Sequence, residues 1–351
     1  MNLLRIIYLF GVISFTTVSA QDKSEESKKS APLETALSGF SFRSIGPAFM
    51  SGRIADIAID PTNENIWYVA VGSGGVWKTT NAGTTWSSLS DNVLFYSTGA
   101  ITLDPNNSQT VWLGTGENVG GRHVGIGHGI YLSRDGGKTW KNKGLKKSEH
   151  ISKIIVHPND SNTIWVASQG PLWSSGGERG FYKSTDGGSS WRKTIELDEW
   201  TGATDIVINP TNPNVLYVAS WQRHRTVAAY MGGGPGTALY KSVDGGLTWS
   251  KQNDEYLNAV YNSYGYYFGR IHVSPTDPDQ IYIYGVPILK SNDSGKTYKR
   301  IGASNVHVDH HDLWINPKNT NHLVLGNDAV SYTHLRAHET GRNLVCRVGL
   351  E

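Results

Sequence analysis

The chain of 351 residues has one cysteine, Cys346, and three methionines. A lone thiol excludes a disulfide framework and paired-cysteine metal or redox chemistry. Charge is also sparse, with Asp, Glu, Lys and Arg at 18%. No apolar run is long enough to cross a membrane as a helix. What is abundant is Gly (40), Tyr (17) and Trp (12), among many short Gly/Asn/Asp/Pro clusters. That mix points to an all-β protein.

The two ends read differently from the middle. Residues 1–20 have the layout of a signal peptide: Arg5, the apolar stretch Ile6–Val18, and the small-x-small site Val18-Ser19-Ala20. Export to the periplasm or the exterior is therefore expected. Residues 21–39 are polar and predict a flexible leader. At the other end, Ser331–Thr340 (SYTHLRAHET) resembles translated sequencing-library adapter, so residues 330–351, Cys346 included, are expected to be a non-native tail. The signal peptide and the tail hold four arginines and two glutamates, which leaves 28 residues of each sign in the rest of the chain. Zero net charge removes the electrostatic basis for strong nucleic-acid binding.

Between the ends the chain repeats. TTNAGTTW, SRDGGKTW, STDGGSSW, SVDGGLTW and SNDSGKTY start at Thr79, Ser133, Ser184, Ser242 and Ser291, so their spacings are 54, 51, 58 and 49. Before each copy lies an apolar strand, a Pro/Asn turn and a second strand, as in IAIDPTNENIWYVA. This second signature occurs six times. One unit is thus four strands in about fifty residues, the pattern of a β-propeller blade. The expected fold is a β-propeller with four-stranded antiparallel blades over residues 40–329, truncated after five blades and part of a sixth.

The Asp of each box is expected to latch its own turn through backbone N–H groups, with Gly supplying positive φ. Asn81, Asp135, Asp186, Asp244 and Asp293 are therefore read as structural. A calcium loop needs several converging oxygens, and each box offers one carboxylate.

The repeated S-x-D-x-G-x-T-W box resembles the bacterial neuraminidase or Asp-box repeat proteins. Within them, FRSIGPAFMSGRIADIAIDP, GLKKSEHISKIIVHP and VDHHDLWINP are most similar to the secreted, sortilin-like propellers often labelled glycosyl hydrolases. The resemblance runs from Phe42 to Asp328. Xyloglucanase-type relatives carry a catalytic Asp in a first-blade T-D-x-G-G run. Here that run is Val71-Gly72-Ser73-Gly74-Gly75, without a carboxylate. The early Arg-Ile-Pro of sialidases has only a broken echo in Phe42–Pro47.

Alignment on Pro61, Pro105, Pro158, Pro210, Pro275 and Pro317 gives the sharpest site expectation. Four residues earlier stand Ile57, Ile101, Ile154, Ile206, Ile271 and Leu313, predicted to face the blade core. One residue further back stand Asp56, Ala100, Lys153, Asp205, Arg270 and Asp312, predicted to ring the axial mouth by strand alternation. Asp205, Asp312 and Asp56 are the catalytic candidates, since glycoside hydrolysis uses paired carboxylates. Ligand-binding candidates are Arg53, Glu117, Arg122, His123, His150, Trp173, Arg179, Trp221, Arg223, Arg270, His310 and His311. His307, Asp309 and His311 would share a face of an extended strand, which suits zinc. No second His-rich segment completes that site, so no metal and no cofactor is assigned. The expected partner is an extracellular polysaccharide, either bound or bound and cleaved, or a peptide or protein captured as by sortilin-type receptors.

Overall fold

The computed structural model describes residues 53–119, 124–253, 269–302 and 306–327, and the backbone of the strand Val345–Gly349. Among these residues there is no helix. Six antiparallel sheets follow one another along the chain. Their first strands are Ile54–Ile59, Thr98–Asp104, Ile151–His157, Thr201–Ile208, Arg270–Val273 and His310–Ile315. Consecutive first strands pack side by side. Each sheet is thus one blade, and the first strands form the inner wall. Five sheets have four strands in sequence order; the fourth carries an extra strand, Tyr230–Gly232, on its long second strand. In the sixth, Val345–Gly349, from the stretch read as non-native, pairs with His322–Asn327. The signal and leader, residues 1–39, lie outside the described residues.

The Pro turns close the first hairpin by the same device in five blades. The residue before Pro accepts the N–H two positions on: Asp60 from Thr62, Asp104 from Asn106, His157 from Asn159, Asn209 from Thr211 and Asn316 from Lys318. Pro holds φ and has no N–H that would need a partner.

The Asp-Gly turns are latches. Asp135 Oδ1 accepts Ser133 Oγ at 2.7 Å and Thr139 N at 2.9 Å, and its Oδ2 accepts Thr139 Oγ1 at 2.6 Å. Ser133 Oγ also accepts Gly137 N. Asp186, Asp244 and Asp293 repeat the pattern. Asn81 keeps it with an amide: Oδ1 accepts Thr85 N, while Nδ2 donates to Thr85 Oγ1. Gly136 and Gly137 both have positive φ, which the tight turn requires. The Thr139 hydroxyl and N–H hold the Asp135 carboxyl down at about 2. Its contribution is therefore present above pH ~4 and lost as pH falls toward 2. Asp135→Ala is expected to cost about 1–2 kcal/mol, with Asp135→Asn recovering most of it, as Asn81 does naturally. An unchanged urea midpoint in the alanine variant would refute the latch.

The core lies between blades. Each of five apolar clusters joins residues of two consecutive blades; Tyr68 and Ala70, for example, pack on Ile101, Leu103, Val111 and Leu113. The latch Trp also crosses the joint. Trp140 Nε1 donates to Leu89 O, Trp191 to Lys143 O and Trp249 to Thr194 Oγ1, each in the preceding blade. Five of the six residues expected to face the core are buried there. Ile57 is the exception and stands exposed; among the described residues no blade covers that side of the first sheet.

Candidate functional site

The inner wall brings Asp56, Lys153, Asp205, Arg270 and Asp312 together around one cavity of about 310 Å³; Ala100 does not line it. Strand alternation alone does not aim them. In the first, second, fourth and sixth blades the ladder slips just before the ring residue: between Ile54 and Asp56, Thr98 and Ala100, Ala203 and Asp205, His310 and Asp312. The third blade slips between Ile151 and Lys153. Such a bulge adds a residue and re-aims the side chain that follows.

Two of the three catalytic candidates accept backbone N–H groups across blade joints. Asp56 Oδ1 accepts its neighbour Ile57 N at 3.0 Å, and Oδ2 accepts Ile101 N of the next blade at 3.1 Å. Asp205 does the same with Ile206 N at 2.9 Å and Ile271 N at 3.0 Å. These carboxylates staple consecutive inner strands. Asp312 instead accepts Leu313 N at 2.9 Å and the Tyr284 hydroxyl at 3.3 Å.

The cavity's cations are matched by its carboxylates. Lys153 Nζ lies 3.8 Å from Asp56 Oδ2. Burial opposes the charge of Arg270, yet Asp205, Tyr284, Asp56 and Asp312 together raise its pKa. Arg53 pairs with Glu117, its Nε donating to Oε1 at 2.7 Å. Glu117 reaches in from the second blade and sits against Gly72, where an added Cβ would come within 2.5 Å of Oε1. The turn that lacks the xyloglucanase-type Asp thus has a carboxylate against it from the neighbouring blade.

His272 and Tyr284 also line the cavity, and the sequence analysis did not single them out. The Tyr284 hydroxyl lies 3.2 Å from His272 Nδ1. Burial pushes the His272 pKa down, and burial with Asp312 pushes that of Tyr284 well up. Both come from the fifth blade, where one residue after the core Ile is a weak signal.

His311 lines the cavity, but His310 is buried beneath it, its N–H donating to Gly285 O. Asp309 turns through a positive φ, so the segment is not one extended strand. Among the described residues no three His, Cys, Asp or Glu side chains cluster as metal ligands would.

Several loop candidates hold the protein together and face no solvent. Arg179, 2% exposed, donates to Gly176 O, Trp200 O, Pro171 O and Ser174 O. Arg223, also buried, reaches Val119 O and Gly170 O. Trp221 is packed between the fourth and fifth blades. His150 is buried behind Glu117, its Nδ1 2.9 Å from Glu117 O. These four are corrected from ligand contacts to internal positions: Arg179, Arg223 and His150 bond the polar backbone of the loops, which needs buried partners, while Trp221 fills the apolar joint. Trp173 remains exposed. Arg122 and His123 lie outside the described residues.

The Sortilin-Vps10 family ("Sortilin, neurotensin receptor 3,") matches residues 128–255. A xyloglucanase of Hypocrea jecorina is 25% identical over 303 residues, 79% of this chain and 33% of its own length. A xyloglucanase of Acetivibrio thermocellus is 27% identical over 55% of this chain and 24% of its own. The chain therefore spans a third or less of these relatives. The GH74 enzyme of Niastella koreensis superposes with a TM-score of 0.57 at 21% identity, over 78% of this chain and 43% of that one. The GH74 xyloglucanase from Xanthomonas campestris gives 0.55 at 18% identity, over the same shares. The chain is thus a β-propeller, similar through most of its length to glycosyl hydrolase-labelled propellers and through its middle to the sortilin family.

Proposed function

We propose that this chain is part of an exported propeller that binds an extracellular glycan at the axial cavity. The observation that carries this reading is the charge matching there. Arg53, Lys153 and Arg270 each face carboxylates of the same cavity. The site offers donors and acceptors in alternation without a cation set aside for an anionic ligand, which suits a hydroxyl-rich, uncharged partner. The xyloglucanase relatives support the same class.

Binding of xyloglucan oligosaccharides is expected by calorimetry. Lys153→Met and Asp312→Asn should each weaken it about tenfold, the worth of one hydrogen bond to a charged group. Binding that neither change affects would place the ligand elsewhere; no binding across a panel of neutral glycans would remove the reading.

Cleavage would need two carboxylates at a suitable separation. Asp56 and Asp205 spend both oxygens on backbone donors, and Glu117 divides its own between Arg53 and Gly125 N, so Asp312 is the better placed of the cavity's acids. A glycanase activity that survives Asp312→Asn would exclude the catalytic role given to Asp312. The sortilin match favours a second reading, capture of a peptide or protein without chemistry. A peptide library that binds where the glycan panel does not would select it.

A further inference from the structure

The fifth blade departs from its own repeat at two positions. Nine residues after the turn Pro the other five blades carry Ala or Gly (Ala70, Gly114, Ala167, Ala219 and Gly326), and the fifth carries Tyr284. Three residues before that Pro only the fifth carries a histidine, His272. A blade needs neither side chain to form, since five form without them. Arg270 pairs with Tyr284 across the ladder, which sets His272 diagonally opposite the tyrosine. Strand alternation puts Arg270 and His272 on one face. All three line the axial cavity with Asp312 of the sixth blade.

Their hydrogen bonds fix one tautomer of the histidine. The Tyr284 hydroxyl has a single proton and two acceptors in reach, Asp312 Oδ1 at 3.3 Å and His272 Nδ1 at 3.2 Å. A carboxylate is the stronger acceptor, so the proton goes to Asp312. His272 must then donate from Nδ1 to the Tyr284 oxygen, which leaves Nε2 with its lone pair. Among the described residues nothing bonds Nε2, and it is not sealed from solvent. Burial lowers the pKa of the ring and so favours its neutral form. Arg270 has the opposite character. Asp205, Asp56 and Asp312 balance its charge, yet among the described residues no hydrogen bond takes its N–H groups.

We propose that Arg270 and His272 set ligand specificity in the axial cavity: His272 Nε2 accepts a hydrogen bond from one ligand hydroxyl, and Arg270 donates to the oxygen beside it. A donor and an acceptor two residues apart on one strand suit adjacent hydroxyls of a neutral sugar ring. Tyr284 and Asp312 are positioning residues that hold the acceptor tautomer. The inference rests on the glycan reading and adds a condition to it, that the imidazole be neutral. Protonated at Nε2, His272 would be a donor and a further cation beside Arg270 and Lys153. Asp312 and Asp205 favour that protonation, while Lys153 and Arg270 oppose it. Asp56 of the first blade and His311 of the sixth line the same cavity. Binding is therefore full above pH ~6.5 and falls as pH drops through the lower pKa of the folded ring.

Ring NMR and calorimetry with xyloglucan oligosaccharides test it. Long-range proton–nitrogen spectra should show the His272 ring, identified by its loss in His272→Gln, protonated at Nδ1. Tyr284→Phe should move that proton to Nε2 and weaken binding several-fold. His272→Phe should weaken it roughly five- to tenfold at about pH 7.5, the worth of one hydrogen bond. His272→Gln, whose amide oxygen can accept, should restore most of that loss. Between about pH 7.5 and about pH 5.5 the unsubstituted chain should lose several-fold more affinity than His272→Gln, in which Asp56, Asp312 and His311 still titrate. A ring protonated at Nε2 overturns the inference, as does equal acid loss in both proteins. So does affinity unchanged by His272→Phe and Tyr284→Phe where Lys153→Met weakens it, and the glycan reading then stands. If no neutral oligosaccharide binds, the glycan reading fails and this inference fails with it, whichever tautomer is found.

Discussion

Arg179→Met should destabilise the protein by about 3–5 kcal/mol and release the loop at residues 169–180. The guanidinium is buried and, among the described residues, no carboxylate bonds to it; four carbonyls, from Gly176, Trp200, Pro171 and Ser174, solvate it instead. Burial lowers its pKa to about 10, which leaves it charged at neutral pH. Methionine fills similar space but takes the donor from four carbonyls; the buried Pro171 O suffers most, whereas Trp200 O keeps the Arg223 N–H. The loss falls short of four separate bonds, because the loop will relax and admit water. Lysine should recover only part of it, since one ammonium cannot match the planar fork. Urea unfolding measures the first effect, and limited proteolysis within Gly170–Gly177 the second. A midpoint shift worth less than ~1 kcal/mol, with the loop still resistant, would show that the carbonyls do not depend on Arg179.

Acid should destabilise the fold well above the range where carboxylates titrate, through His150. Burial first, and the charge of Arg223 next, push its pKa down to about 3, while Glu117 O holds the ring by its Nδ1 proton. In the unfolded chain the same ring takes up a proton near pH 6.5. Between these values only the unfolded state is protonated, so stability is full above pH ~6.5 and falls as pH drops toward 3. The slope from this one group reaches about 1.4 kcal/mol per pH unit. His272, also held low by burial, adds in the same direction. His150→Asn keeps a donor for Glu117 O and removes the titration. It should be the less stable protein at pH 7 and lose less on acidification, so the two urea-midpoint curves converge toward pH 4. Parallel curves would assign the acid sensitivity to other groups.

The inner-strand ring shows where sequence and structure part. Counting back from the turn Pro identified Asp56, Lys153, Asp205, Arg270 and Asp312 as one set, and they do share a cavity. Their chemistry was not in the count. Whether Asp205 serves a ligand or a neighbouring N–H depends on the distance to Ile271, 66 positions away, and on a bulge that no residue type announces. The loop residues make the same point. Trp, Arg and carboxylate in a long glycine-rich loop read alike whether they face a ligand or brace the loop, and Arg179 and Arg223 brace it. His272 and Tyr284 were missed because their strand positions are otherwise those of core residues.

The sequence by itself determined the repeat, the four-stranded blade and the latch. Those are local: the Asp-Gly turn and the Pro turn bond within a few residues, so spacing and side-chain type suffice. Tertiary structure alone decided what depends on two blades meeting. That includes which carboxylates became staples, which arginines were sealed in by carbonyls, and why Ile57 is exposed where its five counterparts are buried. The reason is that each blade's core is completed by its neighbour, and a carboxylate at a joint then bonds atoms far along the chain, 45 positions away for Asp56 and Ile101 and 66 for Asp205 and Ile271.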